Sequence, residues 1–146
     1  MTGDPFDLQR FLDAQRGTYE RAVQELRAGR KTGHWMWFIF PQVAGLGQSA
    51  TSRHYAIASL AQARAYARHP ELGERLRECA RILLGLENRS APEIFGGIDA
   101  VKLRSSMTLF ALAAPDTPEF QQVLERYFGG ARDEKTERLL GSEREA

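Results

Sequence analysis

Residues 34–41 read His-Trp-Met-Trp-Phe-Ile-Phe-Pro and contain four of the chain's 14 aromatic residues, including both tryptophans. This is the longest apolar run in the chain, and it is far shorter than the about 20 residues that a membrane-spanning helix needs. Large aromatic areas favour burial, so we expect most of the segment to be core, with His34 and Trp35 as an exposed pair. Pro41 predicts the end of a short helix, and a buried strand is the alternative.

On both sides of this segment, Gly and Pro separate stretches whose apolar residues recur three or four positions apart, the spacing of amphipathic helices. The stretches on either side of Gly17 predict a helical hairpin. Further along the chain, a helix is expected to begin near Tyr55, and two later helices are expected to end at Gly129–Gly130 and at Gly141. A capping box at Ser90–Glu93 starts a short helix that should stop at Gly96–Gly97, and Asp99 is expected to cap the next one. Because no two alternating strands are joined by a hairpin turn, the sequence predicts an all-α fold of about eight short helices.

The composition is typical of one folded domain. The chain has 146 residues, of which 42% are hydrophobic and 27% are charged, and it contains no internal repeat or linker. We therefore expect a single compact multihelical domain over residues 1–146, with a core at about 6–141 and a frayed tail at 142–146.

Cysteine usage and the N-terminus bear on the cellular setting. The single cysteine, Cys79, excludes an internal disulfide and a zinc site built on several cysteines, so we predict no metal and no cofactor. The polar residues 1–6 carry no signal-peptide pattern, and no run is long enough to enter a membrane. A cytoplasmic protein is expected.

The charges are unevenly distributed. The formal net charge is only +1, which argues against broad nucleic-acid binding. None of the 19 acidic residues lies between Glu25 and Glu71, although this stretch holds six Lys and Arg residues and all three histidines. A buried aromatic segment would exclude acids in any case; the alternative is a cationic wall that faces an anionic ligand.

We predict that this wall and the polar start of the helix after Asp99 form one anion-binding cleft. The loop 45–52 offers hydroxyls and main-chain amides suited to phosphate, although it could equally be an ordinary turn. The candidate ligand-binding residues are Lys31, Trp35, Gln42, Gly45, Gly47, Ser49, Ser52, Tyr55, Lys102, Ser105 and Ser106. His34 and His54 are candidate catalytic residues, because imidazole titrates near neutrality and can act as a general acid or base.

Five segments of the chain resemble the domain-of-unknown-function family 1810, over about residues 8–140. They are 29–42, 45–49, 55–57, 69–70 and 102–110, and the first includes the aromatic stretch. The resemblance implies a small, mostly helical bacterial domain of unestablished biochemistry. Members often carry the label calpastatin, but calpastatins are disordered inhibitors, whereas the patterned apolar residues of this chain predict a folded protein.

The sequence therefore favours a cytoplasmic helical domain that binds an anionic, nucleotide-like small molecule, with hydrolysis of a phosphate or glycosidic linkage as a further expectation. The first alternative is a protein-interaction or homodimerisation module that exposes the aromatic segment 34–40. The second is an ADP-ribose-type glycosidic hydrolase, from a likeness to small helical domains that handle ADP-ribose derivatives. A homodimer is compatible with the binding and the interaction hypotheses alike.

Overall fold

The computed structural model describes residues 4–145, with side chains from residue 4 to residue 141. Residues 4–145 form nine helices and no strand, which confirms the all-α prediction. The helices are α1 (Gln9–Gln15), α2 (Tyr19–Arg27), α3 (Met36–Ile39), α4 (Ala50–His54), α5 (Leu60–Arg68), α6 (Leu72–Gly85), α7 (Ala91–Ala113), α8 (Pro118–Phe128) and α9 (Glu134–Glu145).

Local chemistry sets several helix ends as predicted. The Ser90 hydroxyl accepts the N–H of Glu93, and the Glu93 carboxylate accepts the N–H of Ser90, at 3.2 and 2.8 Å, which completes the capping box. Helix α7 is interrupted at Gly96, whose φ of +80° lies in the region that glycine adopts readily. Gly129 ends α8 in the left-handed conformation.

Two predicted helix starts were wrong. Asp99 lies inside α7 and makes ion pairs instead of capping it. The helix expected to begin near Tyr55 is two helices, because Ser49 caps the five-residue helix α4 and α5 begins only at Leu60. Helix α4 has the sequence Ala-Thr-Ser-Arg-His, which has no apolar periodicity and so gave no helical signal.

The end of the chain also differs from the prediction. Helix α9 was expected to stop at Gly141, but it continues to Glu145. Residue 146 and the side chains of 142–145, which belong to the predicted tail, lie outside the described residues.

Helix α7 is the centre of the hydrophobic core. It packs against α5, α8 and α9, while α6 packs against α2, α5 and α8. Leu103, Met107 and Phe110 of α7 are completely buried. Trp35 joins this core with 1% of its surface exposed, so the prediction that it would be exposed beside His34 was wrong, whereas His34 itself is exposed.

A buried polar cluster holds the aromatic segment against the helices. The Gln15 amide nitrogen donates to the carbonyl of Phe38 at 2.8 Å and to the Tyr66 hydroxyl at 3.1 Å. Arg75 donates to the Gln15 amide oxygen at 3.1 Å, which satisfies the other end of this buried side chain. Helices α1, α5 and α6 therefore all contribute to the position of α3.

Candidate functional site

Glu25, in the last turn of α2, fixes the chain that leads into the aromatic segment. Its Oε1 accepts the main-chain N–H groups of Thr32 and Gly33 at 2.7 and 2.8 Å, and the indole N–H of Trp35 at 2.9 Å. Burial acts to raise the pKa of this carboxyl, but the three donors outweigh it and hold the pKa below its ordinary value. This bonding satisfies the buried indole and orients Lys31.

Lys31, Asp99 and Lys102 form a charged cluster between this loop and α7. The Asp99 carboxylate lies 2.8 Å from Lys31 Nζ and 3.4 Å from Lys102 Nζ. The Lys31 side chain is 8% exposed, whereas that of Lys102 is 25% exposed. One carboxylate serves two ammonium groups, so the cluster keeps one net positive charge, and Lys102 is its accessible end.

Lys102 also lies over an aromatic ring. Its Nζ is 4.8 Å from the centroid of the Trp37 ring, a cation–π distance. Trp37 is half-buried, and its indole nitrogen is buried without a hydrogen-bond partner among the described residues. An unsatisfied buried donor is uncommon in folded proteins, so this indole N–H is a donor that a bound molecule or water can satisfy.

A looped segment, residues 42–57, closes over these side chains. A parallel bridge joins Val43 to Ile57, with hydrogen bonds of 2.8 Å from Ala44 N–H to Ile57 and from Ile57 N–H to Gln42. Arg10 holds the far end of the segment, because its guanidinium donates to the carbonyls of His54 and Ala56 at 2.9 and 3.0 Å. Both ends of the segment are thus fixed.

Close packing inside the segment requires a glycine. A Cβ on Gly47 would lie 2.5 Å from both Cβ and Oγ of Ser52, so no side chain fits there. Ser52 in turn lies in the first turn of α4, where Ser49 Oγ accepts its N–H at 3.1 Å and donates to its hydroxyl at 2.9 Å. The Ser49 hydroxyl therefore caps α4.

The segment, α3 and α7 enclose a hollow of about 150 Å³, which we call the cationic pocket. It is lined by Met36, Trp37, Gln42, Val43, Ala44, Gly45, Gly47, Ser52, Arg53, Tyr55, Ala56 and Lys102. Two of these side chains are cations and none is a carboxylate. Arg53 has no acidic partner among the described residues, and it contacts only the amide of Gln48 at 3.4 Å.

A more open hollow adjoins the cationic pocket, and we call it the apolar groove. It measures about 420 Å³ and shares Gln42, Gly47, Ser52 and Lys102 with the pocket. Its other lining residues are Leu46, Ile98, Val101, Ser105, Asp133 and Lys135. The join between the two hollows therefore lies at Lys102.

The two candidate catalytic histidines share a different hollow. His34 and His54 lie with Trp37, Phe38, Ala50, Thr51 and Tyr55 around an open space of about 420 Å³. Trp37 and Tyr55 line both this histidine hollow and the cationic pocket, so their rings lie between the histidines and Lys102.

The fold brings together part of the predicted site. Gln42, Gly45, Gly47, Ser52, Tyr55 and Lys102 line the cationic pocket, and Ser105 lines the apolar groove. Four other predicted residues lie elsewhere, each for a structural reason. Lys31 is paired with Asp99, Trp35 is bonded to Glu25, Ser49 caps α4, and Ser106 is fully buried with no partner among the described residues for its hydroxyl.

Sequence reasoning missed three residues of the site. Trp37 was interpreted as packing only, Asp99 as a helix cap, and Arg53 only as one of the charges of the acid-free stretch. Asp99 and Lys102 are three positions apart on α7, and that spacing was the available signal that they share a face. The approach of Trp37 to Lys102 spans 65 positions of sequence and had no local signal.

A second cationic hollow lies at the other end of α7 and is lined partly by Arg64, Arg68 and Arg77. It also includes Ala113, eleven residues and therefore about 16 Å along the helix from Lys102. His69 contributes to the turn beside it, because its Nδ1 accepts the N–H groups of Glu71 and Leu72 at 3.1 Å each. Because this hollow is remote from the cationic pocket, its arginines provide control substitutions for tests of that pocket.

These features define the class of protein: a small all-α domain with a cation-lined pocket beside its central helix. The family model described as Protein of unknown function (DUF1810) matches residues 5–140, and the chain belongs to that family. The chain is also similar to a solved structure, the conserved hypothetical protein Rv1873 from Mycobacterium tuberculosis. The two are 51% identical with a TM-score of 0.93, over 94% of this chain and 99% of that one.

No curated protein matches the chain. Within the described residues, none of the helices combines the length and the apolar character needed to span a bilayer.

Proposed function

We propose that the chain binds an anionic, nucleotide-like small molecule in the cationic pocket. The observation that supports this most strongly is the charge of the pocket lining: two cations, Lys102 and Arg53, and no carboxylate among its residues. The carboxylate paired with Lys102 among the described residues is Asp99, and it is shared with Lys31. The Lys102 side chain is only 25% exposed, and a partly enclosed positive charge is stabilised by a neighbouring anion, whereas Arg53 is exposed to solvent.

The neutral groups of the pocket suit the same ligand. The Ser52 hydroxyl and the Gln42 amide can hydrogen-bond to phosphate or ring atoms. Trp37 and Tyr55 add aromatic surface to the lining, and the Trp37 ring lies under Lys102. A few convergent polar groups in a concave, largely apolar lining is the usual form of a small-molecule site.

The proposal covers binding, and hydrolysis stays a prediction. His34 and His54 lie in the neighbouring hollow, with Trp37 and Tyr55 between them and the cationic pocket. The glycosidic-hydrolase alternative gains no support from the pocket, whose lining residues include no carboxylate. The interaction module required segment 34–40 to be an exposed anchor, but Trp35, Met36, Ile39 and Phe40 are buried.

Isothermal titration calorimetry with adenosine 5′-monophosphate tests the proposal, with uncharged adenosine as the ligand control. We expect the monophosphate to bind at least about tenfold more tightly than adenosine, since hydrogen bonds to charged groups contribute about 1.5–3 kcal/mol. Lys102→Met should weaken binding of the monophosphate by about tenfold or more for the same reason.

The matched control is Arg68→Met, which removes one positive charge from the remote arginine-lined hollow. We expect it to change the affinity by less than about twofold, because salt screens charges at that distance. Equal effects of Lys102→Met and Arg68→Met would contradict the proposed site, and so would an absence of heat with the monophosphate in the wild-type protein.

A further inference from the structure

Two large hydrophobic side chains are exposed on α7 beside the proposed site. Ile98 is 78% exposed and Val101 is 61% exposed, and these are the large hydrophobic residues left exposed among those described. They are three positions apart, so they lie on one face of the helix, and both line the apolar groove with Leu46. Adjacent exposed apolar side chains at the edge of a hollow are typical of a binding surface.

The sizes of the two hollows bear on how a ligand would be divided between them. The cationic pocket, at about 150 Å³, is smaller than the about 300–1000 Å³ of ordinary ligand sites. The apolar groove adds about 420 Å³ and begins at Lys102. The pocket therefore accommodates a small charged group, and the remainder of a larger ligand must extend along the groove.

Two polar residues of the groove lining, Ser105 and Asp133, are already engaged within the fold. Ser105 Oγ lies 3.2 Å from both Asp133 Oδ2 and the Val101 carbonyl oxygen, and its single hydroxyl proton is shared between these two acceptors. Asp133 Oδ2 also accepts the N–H of Thr136 at 3.1 Å, as the cap of α9. The surface left for a ligand is therefore mainly the side chains of Leu46, Ile98 and Val101, with the exposed Lys135 beside them.

We infer, on the basis of the proposed function, that the ligand is an organic phosphate with an apolar or aromatic arm. The phosphate lies at Lys102 and Ser52 in the cationic pocket, and the arm lies across Leu46, Ile98 and Val101 in the apolar groove. This ligand class differs from inorganic phosphate, which leaves the groove empty, and from simple sugar phosphates, which carry hydroxyls but no apolar or aromatic group to place on the groove surface.

A series of alkyl phosphates tests the inference by calorimetry, with inorganic phosphate, ethyl, butyl and hexyl phosphate as probes. Full burial of one methylene corresponds to about a fourfold gain in affinity. The groove is open on one side, so we expect about a twofold gain for each added methylene. Ribose 5-phosphate should bind no more tightly than ethyl phosphate.

The double variant Ile98→Ser/Val101→Ser is the matched control. Both side chains are exposed, so the fold should tolerate the change. We expect it to remove the dependence on chain length while leaving the affinity for ethyl phosphate within about twofold of wild type. Lys102→Met should instead weaken every member of the series alike.

The outcomes separate the inference from the proposed function. If the wild-type protein binds all the alkyl phosphates with equal affinity but still binds adenosine 5′-monophosphate in a Lys102-dependent way, the inference alone is overturned. Chain-length dependence that survives in the double variant would overturn it too, because the arm would then lie elsewhere. A wild-type dimer that the double variant converts to a monomer in light scattering would assign the groove to self-association. If adenosine 5′-monophosphate and every alkyl phosphate fail to bind, the proposed function fails as well.

Discussion

Alanine in place of Gly73 is expected to lower the free energy of unfolding by about 3 kcal/mol. A Cβ at this position would lie 2.0 Å from the carbonyl oxygen of Ala67, which is a main-chain atom and cannot rotate away. Glycine to alanine within a helix ordinarily stabilises a protein by about 0.5–1 kcal/mol. Because α6 approaches the end of α5 so closely, the same substitution at Gly73 is expected to destabilise the protein instead.

Urea denaturation followed by circular dichroism measures this effect. Gly85, the last residue of the same helix, is the control, because no atom lies within 4 Å of the Cβ it would gain. Gly85→Ala should leave the midpoint unchanged or raise it slightly. If Gly73→Ala unfolds at the wild-type urea concentration, the packing of α6 against α5 described above is wrong.

Replacing Glu25 by glutamine is expected to lower the free energy of unfolding by about 1–2 kcal/mol at neutral pH. A single carboxylate oxygen accepts three N–H groups here, and hydrogen bonds to a charged acceptor are stronger than those to a neutral amide. Glu20→Gln in the same helix is the control, since Glu20 is exposed and has no hydrogen-bonded or ionic partner among the described residues.

The difference between wild type and Glu25→Gln should depend on pH. The pKa of Glu25 is lower in the folded protein than its ordinary value of 4.5. The carboxylate therefore contributes its stability in full above about pH 4.5, and that contribution is lost as the pH falls through the lower, folded-state pKa. The difference in unfolding free energy between the two proteins should narrow as the pH falls below about 4.5; a difference that stays constant from pH 7 to pH 3 would contradict this role.

Features that depend on neighbouring residues were predictable from the sequence. The capping box of Ser90 and Glu93, the interruption at Gly96 and the left-handed end at Gly129 each arise from side chains and glycines within a few positions. Local conformational preferences are read directly from such patterns, and this part of the prediction agrees with the structure.

Features that depend on distant partners were not predictable. Trp35 is buried because Glu25, ten positions earlier, accepts its indole N–H. Lys31 was expected to face an anion in an acid-free region, but α7 brings Asp99 to it from 68 positions away. Ser49 has a hydroxyl suited to phosphate, and the same chemistry makes it the cap of α4.

Burial accounts for much of the acid-free stretch, whereas an anionic ligand for its cations stays a prediction. Much of the stretch is core, where acids are disfavoured. The carboxylate that α7 supplies, Asp99, is shared by Lys31 and Lys102, and Arg53 has no acidic partner among the described residues. The positive charge that remains at the cationic pocket is what the proposed function depends on.

The most direct test uses the indole N–H signals of the two tryptophans in a nitrogen-15 NMR spectrum. Trp37 lies under Lys102 in the cationic pocket, whereas the indole of Trp35 is bonded to Glu25 in the core, so one protein contains both probe and control. Trp37→Phe assigns the signals. On titration with adenosine 5′-monophosphate, we predict that the Trp37 signal moves until saturation while the Trp35 signal stays in place. A Trp37 signal that does not move, or moves equally with uncharged adenosine, would contradict an anion site in this pocket.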